Sequence, residues 1–313
     1  MNAYIISYFG TGKLALIRQA LHYQQLCTLL QTPHVQDIHI LSMDYQAHAQ
    51  TKGNIRPAQT LYMDHPRIHY VDHALVSPGV ARNVLMKMFN KTDANWGLFL
   101  DNDAYVDPRF QGLEFIPVVD HFSDYLAEHV DVLSTTSPRH TPFNKLLAEQ
   151  QAQLASHIWL DRQSYLKTTV FVLRNRVKYG EEPIYFDEEL THMEDFEYQA
   201  RLLAKGKGLY KLMGVIMADL GCNEEYSTLF AGTNRTENWL EVKQQLYQRY
   251  KNAGAVWQNN SVNWSKMQNQ NAPRAIWLPK NLDYNNIING KTFEQNNFNN
   301  LFAFEETQND IQS

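Results

Sequence analysis

The sequence predicts an α/β fold, with a mainly parallel sheet flanked by helices and a smaller helical or irregular lobe at the C-terminal end. Apolar runs of strand length alternate with segments of helical periodicity over the first 110 residues. The run at 96–100 is continuously apolar, which is typical of a strand buried on both faces. The composition changes near residue 233, so we expect a main domain over 1–232 and a lobe with a polar tail over 233–313.

The individual elements follow the hydrophobic pattern. Strands are expected at 4–8, 38–43, 67–71, 96–100, 130–133, 168–173 and 209–218. Helices are expected at 13–30, 80–89, 144–158, 194–205 and 237–251. Pro78 and Gly79 mark the beginning of the second helix, and Gly206 marks the end of the fourth. Alternation of this kind favours parallel pairing between the strands.

Composition disfavours several classes of protein. The chain has 313 residues, of which 44% are hydrophobic, and no long apolar segment, so we expect a globular protein without a membrane span or signal peptide. Cys27 and Cys222 lie far apart and form no CxxC motif, which disfavours a disulfide framework and favours a reducing, cytoplasmic setting. A net charge of −5 gives no overall attraction to nucleic acid or to anionic membranes.

An acidic motif, Asp101-Asn102-Asp103, directly follows the apolar run at 96–100. Ligands of open α/β sheets bind outside the carboxyl ends of the strands, where this motif is expected to lie. Two carboxylates one residue apart suit a hard divalent cation, and a diphosphate would supply further oxygen ligands. The alternative is a solvated turn, because Asp and Asn are favoured in turns.

A second acidic pair, Glu194 and Asp195, begins the helix predicted at 194–205. The positive end of a helix favours ionised carboxylates, and a general base must be ionised. The alternative is that both residues only cap the helix.

Taken together, the segment 77–83 (Ser-Pro-Gly-Val-Ala-Arg-Asn), the strand ending in Asp101-Asn102-Asp103 and the Glu194-Asp195 pair before Arg-Leu-Leu-Ala-Lys-Gly resemble the GT-A glycosyltransferases, notably family 2. The order and spacing of these motifs match the DxD and ED motifs of that family. The resemblance covers roughly residues 1–221, and it implies a GT-A, Rossmann-like fold. It assigns nucleotide-sugar binding to 1–110 and the acceptor side to 111–232.

The resemblance also implies roles on the donor side, for a UDP-sugar or another nucleotide-diphosphate sugar. Asp103 would be the main ligand of Mn²⁺ or Mg²⁺, and Asp101 would bind the ribose, or the metal through water. Arg82 and Asn83 would lie near the nucleotide, although an arginine on a helix is more often a surface residue. The remaining implied residues are Ser7 and Phe9 on the pocket floor, Asp44 at the base or ribose, and Asp219 as a possible third metal ligand. From the residues alone, Asp44 is equally well explained as a turn residue.

The reaction that the resemblance implies is a single displacement with inversion at the anomeric carbon. Asp195 would take the proton from the acceptor hydroxyl, with Glu194 as the alternative base. A retaining outcome stays open, because the sequence gives no distance from Asp195 to the sugar.

Only the C-terminal segment contains residues that indicate the class of the acceptor. Residues 235–280 hold seven basic residues against two acidic ones, together with Trp239, Trp257, Trp264 and Trp277. Basic residues and aromatics suit hydroxymethylated DNA, as in phages that transfer glucose or arabinose to 5-hydroxymethylcytosine in the host cytoplasm. They equally suit sugar stacking by an enzyme of bacterial surface glycans, and packing of the tryptophans in a small lobe is the alternative. The oligomeric state stays open.

Two other classes of function compete with this interpretation. A nucleotidyltransferase also combines an α/β sheet with acidic metal ligands, but Gly10-Thr11-Gly12-Lys13 is a poor phosphate-binding loop. A non-catalytic nucleotide-sugar-binding protein is disfavoured because both acidic pairs are present.

Overall fold

The structure is a computed structural model, and it describes residues 1–10, 13–43, 65–106, 113–136, 157–190, 193–218 and 235–280. The helices are α1 (Lys13–Gln31), α2 (Pro78–Phe89), α3 (Phe115–His121), α4 (Ser123–His129), α5 (Glu194–Ala204) and α6 (Arg235–Tyr250). The strands are β1 (Asn2–Ser7), β2 (Ile38–Ser42), β3 (Ile68–Asp72), β4 (Trp96–Asp101), β5 (Tyr105–Val106), β6 (Val132–Thr136), β7 (His157–Arg162), β8 (Val170–Arg174), β9 (Leu209–Ala218), β10 (Val256–Gln258), β11 (Ser261–Asn263) and β12 (Ala275–Pro279). In the described part of the chain, no helix is long and apolar enough to cross a membrane.

One mixed sheet organises the fold. Its strands follow the order β12-β7-β9-β6-β8-β4-β1-β2-β3, and β5 pairs with β9 beside this path. The neighbours β3, β2, β1 and β4 are parallel, whereas β8 runs antiparallel to both β4 and β6. The predicted α/β class with a parallel core is confirmed, and antiparallel strands join that core in the second half of the chain.

Hydrophobic cores lie on both faces of the sheet. Helices α1, α3 and α4 pack on one face, where Leu26 and Ile116 are buried. Helices α2, α5 and α6 pack on the other face, where Leu85 and Leu202 are buried. Burial on both faces explains the continuously apolar sequence of β4, as predicted.

An aromatic ladder crosses five neighbouring strands. His69, His39, Tyr4, Phe99 and Phe171 occupy directly paired positions on β3, β2, β1, β4 and β8. Neighbouring ring centroids lie 4.9 to 5.3 Å apart with nearly parallel planes. Such cross-strand pairs stabilise a sheet beyond their buried area, so the ladder stabilises this half of the sheet.

The sequence-based prediction was wrong at residues 157–158. They were expected to end a helix, but β7 begins at His157, and residues 144–156 of that predicted helix lie outside the described residues. Alternating burial along β7 fits its place between β9 and β12. The prediction also missed α3 and α4. In α3, Pro117 and two β-branched valines interrupt the helical pattern, and α4 is a helix of only seven residues.

The C-terminal segment contains more strand than its sequence indicated. Strands β10 and β11 form a hairpin whose two loop residues, Asn259 and Asn260, have φ of 50° and 54°. Both positions of a type I′ turn need positive φ, which Asn tolerates. Strand β12 pairs with β7 at the edge of the main sheet. The domain boundary near residue 232 stays a prediction.

A charged network lies at the sheet edge opposite the carboxyl end of β4. Arg174 donates to Asp131 at 2.9 Å and to Glu181 at 2.6 Å, and Lys207 also donates to Glu181 at 2.8 Å. Arg176 bonds both carboxylates as well. Partial burial would raise the pKa of Glu181, but these cations outweigh it and lower that pKa from 4.5 to about 2.

This network predicts acid sensitivity of the fold. Because Glu181 binds its proton more weakly in the folded chain than in the unfolded one, its contribution is complete above pH 4.5 and is lost as the pH falls toward 2. We expect the wild type to lose about 0.5–1.5 kcal/mol more stability than Glu181→Gln between pH 5 and pH 3, because solvent screening reduces the effect of a partly buried carboxylate. Urea denaturation of both proteins at the two pH values measures this, and parallel losses would contradict it.

Candidate functional site

The carboxyl ends of the four parallel strands meet at one edge of the sheet. Ser7, Ser42, Asp72 and Asp101 are the last residues of β1, β2, β3 and β4. Strand β2, which follows β1 in the chain, pairs on one side of β1, and β4 pairs on the other side. A reversal of this kind opens a crevice at the strand ends, where ligands of open α/β sheets bind.

The turn after β4 is fixed from two sides. Asn102 is buried, and its side chain donates to the carbonyl oxygen of Tyr8 at 3.2 Å. Gln25 of α1 donates to the carbonyl oxygens of Asp101, at 3.0 Å, and of Ala104. The backbone that carries both acidic residues of this motif is therefore anchored to β1 and to α1.

A buried polar stripe on α1 supports this turn, and the sequence-based reasoning missed it. Arg18, His22 and Gln25 lie at helical spacing on the buried face of α1. Nδ1 of His22 lies 3.3 Å from Oε1 of Gln25. Burial lowers the pKa of His22 to about 4, although this hydrogen bond opposes the shift, so His22 is neutral near pH 7. Polar residues at this spacing among apolar ones were the signal in the sequence.

Asp101 and Asp103 remain partly accessible at the crevice. The Asp101 side chain is 33% exposed, and Asp103 is half-buried. Arg18 donates to the carbonyl oxygen of Phe9 at 3.4 Å. Burial lowers the pKa of Arg18, and attraction to Asp103 and Tyr8 opposes that shift. The buried guanidinium of Arg18 thus lies near enough to Asp103 to attract its carboxylate.

The metal prediction concerns the same two carboxylates. Among the described residues, no three His, Cys, Asp or Glu side chains lie close enough to form a metal site by themselves. Asp219, the predicted third ligand, lies outside the described residues. The oxygen donors of Asp101 and Asp103 fit a hard cation that completes its shell with water and phosphate oxygens.

Arg82 joins the two acidic pairs. Its guanidinium donates to Glu194 at 2.8 Å and to Asp101 at 3.4 Å. The same group lies over the rings of Phe171, at 5.9 Å, and Phe186, at 5.4 Å. The strand end of β4 and the first residue of α5 are therefore parts of one ion-paired cluster.

Burial makes this cluster sensitive to changes in its partners. Only 7% of the Arg82 side chain and 11% of the Glu194 side chain are exposed. Burial would lower the pKa of Arg82, but Asp101, Glu194 and Asp195 together raise it. Burial raises the pKa of Glu194 to about 7 against the opposing effect of Arg82. The buried ion pair at 2.8 Å makes Glu194 the partner of Arg82.

Asp195, the second residue of α5, has a different environment. It is half-buried, and its Oδ2 atom accepts hydrogen bonds from the hydroxyls of Tyr165, at 3.0 Å, and Thr168, at 3.3 Å. Its Oδ1 atom accepts the backbone N–H of Phe196 at 2.9 Å. The more accessible carboxylate of the pair is the one without an ion pair among the described residues.

The loop between β7 and β8 carries both hydroxyls and is fixed to both acidic pairs. Gln199 of α5 is fully buried and bonds the backbone N–H and carbonyl of Leu166 at 2.6 and 2.9 Å. The ring of Tyr165 stacks on Phe196 with centroids 4.2 Å apart. The backbone N–H of Asp101 donates to the carbonyl oxygen of Thr169 at 3.0 Å. Tyr165, Thr168 and Gln199 were missed because these contacts join residues distant in the sequence.

The start of α5 departs from ordinary helix geometry. Met193, just before Glu194, has a φ of 57°, in the left-handed region that few residues other than glycine adopt. Its carbonyl oxygen accepts the N–H of Glu197 at 3.0 Å. Backbone strain of this kind often occurs at functional sites, where surrounding contacts maintain it.

The other predicted binding residues have these positions. Ser7 and Phe9 are buried at and just beyond the end of β1. The Asn83 side chain bonds both the N–H and the carbonyl of Phe186, and also Glu188 at 2.9 Å, so it holds the segment before α5. Its predicted contact with a nucleotide stays a prediction. Asp44 lies outside the described residues.

The four C-terminal tryptophans make internal contacts. Trp264 is buried and meets Tyr250 edge-on, with centroids 6.0 Å apart. Trp239, which belongs to α6, packs against the core. The other two also have aromatic partners, Tyr247 for Trp257 and Trp159 for Trp277. The packing alternative thus accounts for these residues without an acceptor.

No protein-family model matches the sequence, and no curated protein matches it. Among solved structures, the chain is similar to GalNAc-T7 with UDP, GalNAc and Mn²⁺, with a TM-score of 0.51 and 12% identity over 81% of this chain and 49% of that one. This chain thus spans about half the length of GalNAc-T7. It is also similar to residues 1–349 of S. aureus TarS in complex with UDP, with a TM-score of 0.44 and 14% identity over 80% of this chain and 71% of that one.

The likeness to GalNAc-T7 concerns the fold, because the identity is low. This chain has a GT-A-like fold.

Proposed function

We propose that this chain is a metal-dependent glycosyltransferase that moves a sugar from a nucleotide diphosphate to an acceptor hydroxyl. The observation that carries the proposal is the ion pair of Arg82 with both Asp101 and Glu194. It brings together, at the edge of the sheet where β1 to β4 end, the two acidic motifs that stand far apart in the sequence. The fold supports the proposal, since the solved structure of GalNAc-T7, which has a similar fold, contains UDP and Mn²⁺.

On the donor side, Asp101 and Asp103 would hold Mn²⁺ or Mg²⁺ together with the diphosphate of a UDP-sugar or a related donor. The cation, when bound, would neutralise the negative charge that develops on the leaving diphosphate. Arg18 adds a buried positive charge near Asp103. Asp44 and Asp219 keep their proposed roles at the nucleotide and the metal.

On the acceptor side, Asp195 is the proposed base. The acceptor oxygen forms a bond to the anomeric carbon, the bond from that carbon to the diphosphate oxygen breaks, and the hydroxyl proton passes to the Asp195 carboxylate. Displacement from the face opposite the diphosphate would invert the anomeric configuration. Glu194 is less suited to this role because Arg82 occupies it in a buried pair.

The acceptor itself is proposed only as a hydroxyl compound. No contact among the described residues favours a bacterial surface glycan over 5-hydroxymethylcytosine in DNA. The internal packing of the C-terminal tryptophans weakens the argument for DNA.

The test of the donor site is Asp103→Ala. We expect UDP with Mn²⁺ to raise the melting temperature of the wild type, because a ligand at 100 times its Kd stabilises the folded state by about 2.7 kcal/mol. The variant should lose this rise while its melting temperature without ligand stays close to that of the wild type. Thermal unfolding with UDP, Mn²⁺ and both together measures the effect.

Asp93→Ala is the matched control, because Asp93 is an exposed aspartate outside the crevice. It should keep the full response. A full response of Asp103→Ala would contradict the metal assignment, and no response of the wild type to any nucleotide diphosphate would contradict the proposed function.

A further inference from the structure

The two oxygen atoms of Asp195 have unequal surroundings. Oδ2 accepts two hydroxyl hydrogen bonds, from Tyr165 and Thr168. Among the described residues, Oδ1 accepts a single hydrogen bond, from the backbone N–H of Phe196. A carboxylate oxygen has about two acceptor positions, so Oδ2 is saturated and Oδ1 keeps one position for a further proton donor.

Both hydroxyls are held by a loop with little freedom. Thr168 is buried, and Gln199 fixes the backbone of Leu166 between the two hydroxyl residues. Ser134 also donates to the carbonyl oxygens of Lys167 and Val170, the latter at 2.9 Å. Contacts with the sheet and with α5 therefore fix the positions of the Tyr165 and Thr168 hydroxyls.

The same loop is bonded to the other acidic pair. The N–H of Asp101 donates to the carbonyl oxygen of Thr169, next to Thr168. The separation of Asp101 from Asp195 is thus fixed by the short backbone segment at Thr168 and Thr169, and also by the ion pairs of Arg82 with Asp101 and Glu194. Because reaction rates depend steeply on the alignment of the reacting groups, such a link matters for the chemical step.

We propose that Tyr165 and Thr168 are positioning residues that occupy Oδ2 of Asp195 and leave Oδ1 to receive the proton of the acceptor hydroxyl. This inference rests on the proposed function and adds to it which atom accepts the proton and what holds it. Neither hydroxyl exchanges a proton with the substrate. Their contribution is to fix the plane of the carboxylate while the acceptor approaches Oδ1.

The test compares Tyr165→Phe, Thr168→Val, Thr168→Ser and the double variant Tyr165→Phe, Thr168→Val. Each lost hydroxyl should lower kcat about tenfold or more, as expected for hydrogen bonds to a charged group, and should leave KM for the donor within about twofold of the wild type. Thr168→Ser keeps the hydroxyl and should keep most of kcat. Tyr179→Phe is the control, since the Tyr179 hydroxyl contacts Asp124 away from the crevice.

Three results would distinguish the explanations. A fall of kcat in Thr168→Val that Thr168→Ser restores, with donor KM unchanged, supports positioning. A double variant with the kcat of the wild type would overturn the inference while leaving the proposed function intact. A wild type that transfers no sugar from any nucleotide sugar to either acceptor class would overturn the proposed function, and the inference with it.

Discussion

Replacing Asp195 with Asn is expected to lower kcat by about 100- to 10,000-fold, which is the usual contribution of a general base. The amide keeps the size of the carboxylate, and its oxygen can still accept the hydroxyls of Tyr165 and Thr168, while its NH2 group loses the hydrogen bond from the Phe196 N–H. It cannot take a proton from the acceptor. Donor binding should be unchanged, because the proposed donor residues Asp101 and Asp103 lie at and just after the end of β4, whereas Asp195 lies on α5.

Two measurements are needed for Asp195→Asn. Release of UDP in the presence of acceptor gives kcat, and the rise of the melting temperature with UDP and Mn²⁺ gives donor binding. Asp93→Asn serves as the control at an exposed aspartate. If the variant lost the thermal response together with activity, Asp195 would belong to the donor pocket instead.

The second large effect is expected for Arg82→Ala, and it concerns stability. The substitution leaves Glu194 buried without its partner, which typically costs about 3–5 kcal/mol. The contacts of the guanidinium with Phe171 and Phe186 are lost as well. Asp101 suffers less, because it is partly exposed and water can replace Arg82.

A double variant separates loss of a partner from loss of packing. Arg82→Met with Glu194→Met removes both charges and keeps apolar volume, so it should recover most of the stability that Arg82→Ala loses. Urea denaturation at pH 7 measures all three proteins. A cost below about 1 kcal/mol for Arg82→Ala would contradict a stabilising buried pair between Arg82 and Glu194.

Local sequence patterns were sufficient for most elements and for both acidic pairs. The end of β4 was visible because a strand buried on both faces is continuously apolar and then stops at Asp101. The beginning of α5 was visible because acidic residues precede a helical pattern that ends at Gly206. Strand β7 was missed because pairing with β9 and β12 overrides local preference there.

The sequence by itself determined the fold class, the position of the acidic motifs at element ends and the chemistry that such residues can perform. Only the tertiary structure decided that Arg82 links Asp101 to Glu194, and that Tyr165 and Thr168 hold Asp195. The reason is physical. Periodicity and capping act between near neighbours in the chain, whereas a site is formed by side chains that the sheet brings together from distant segments.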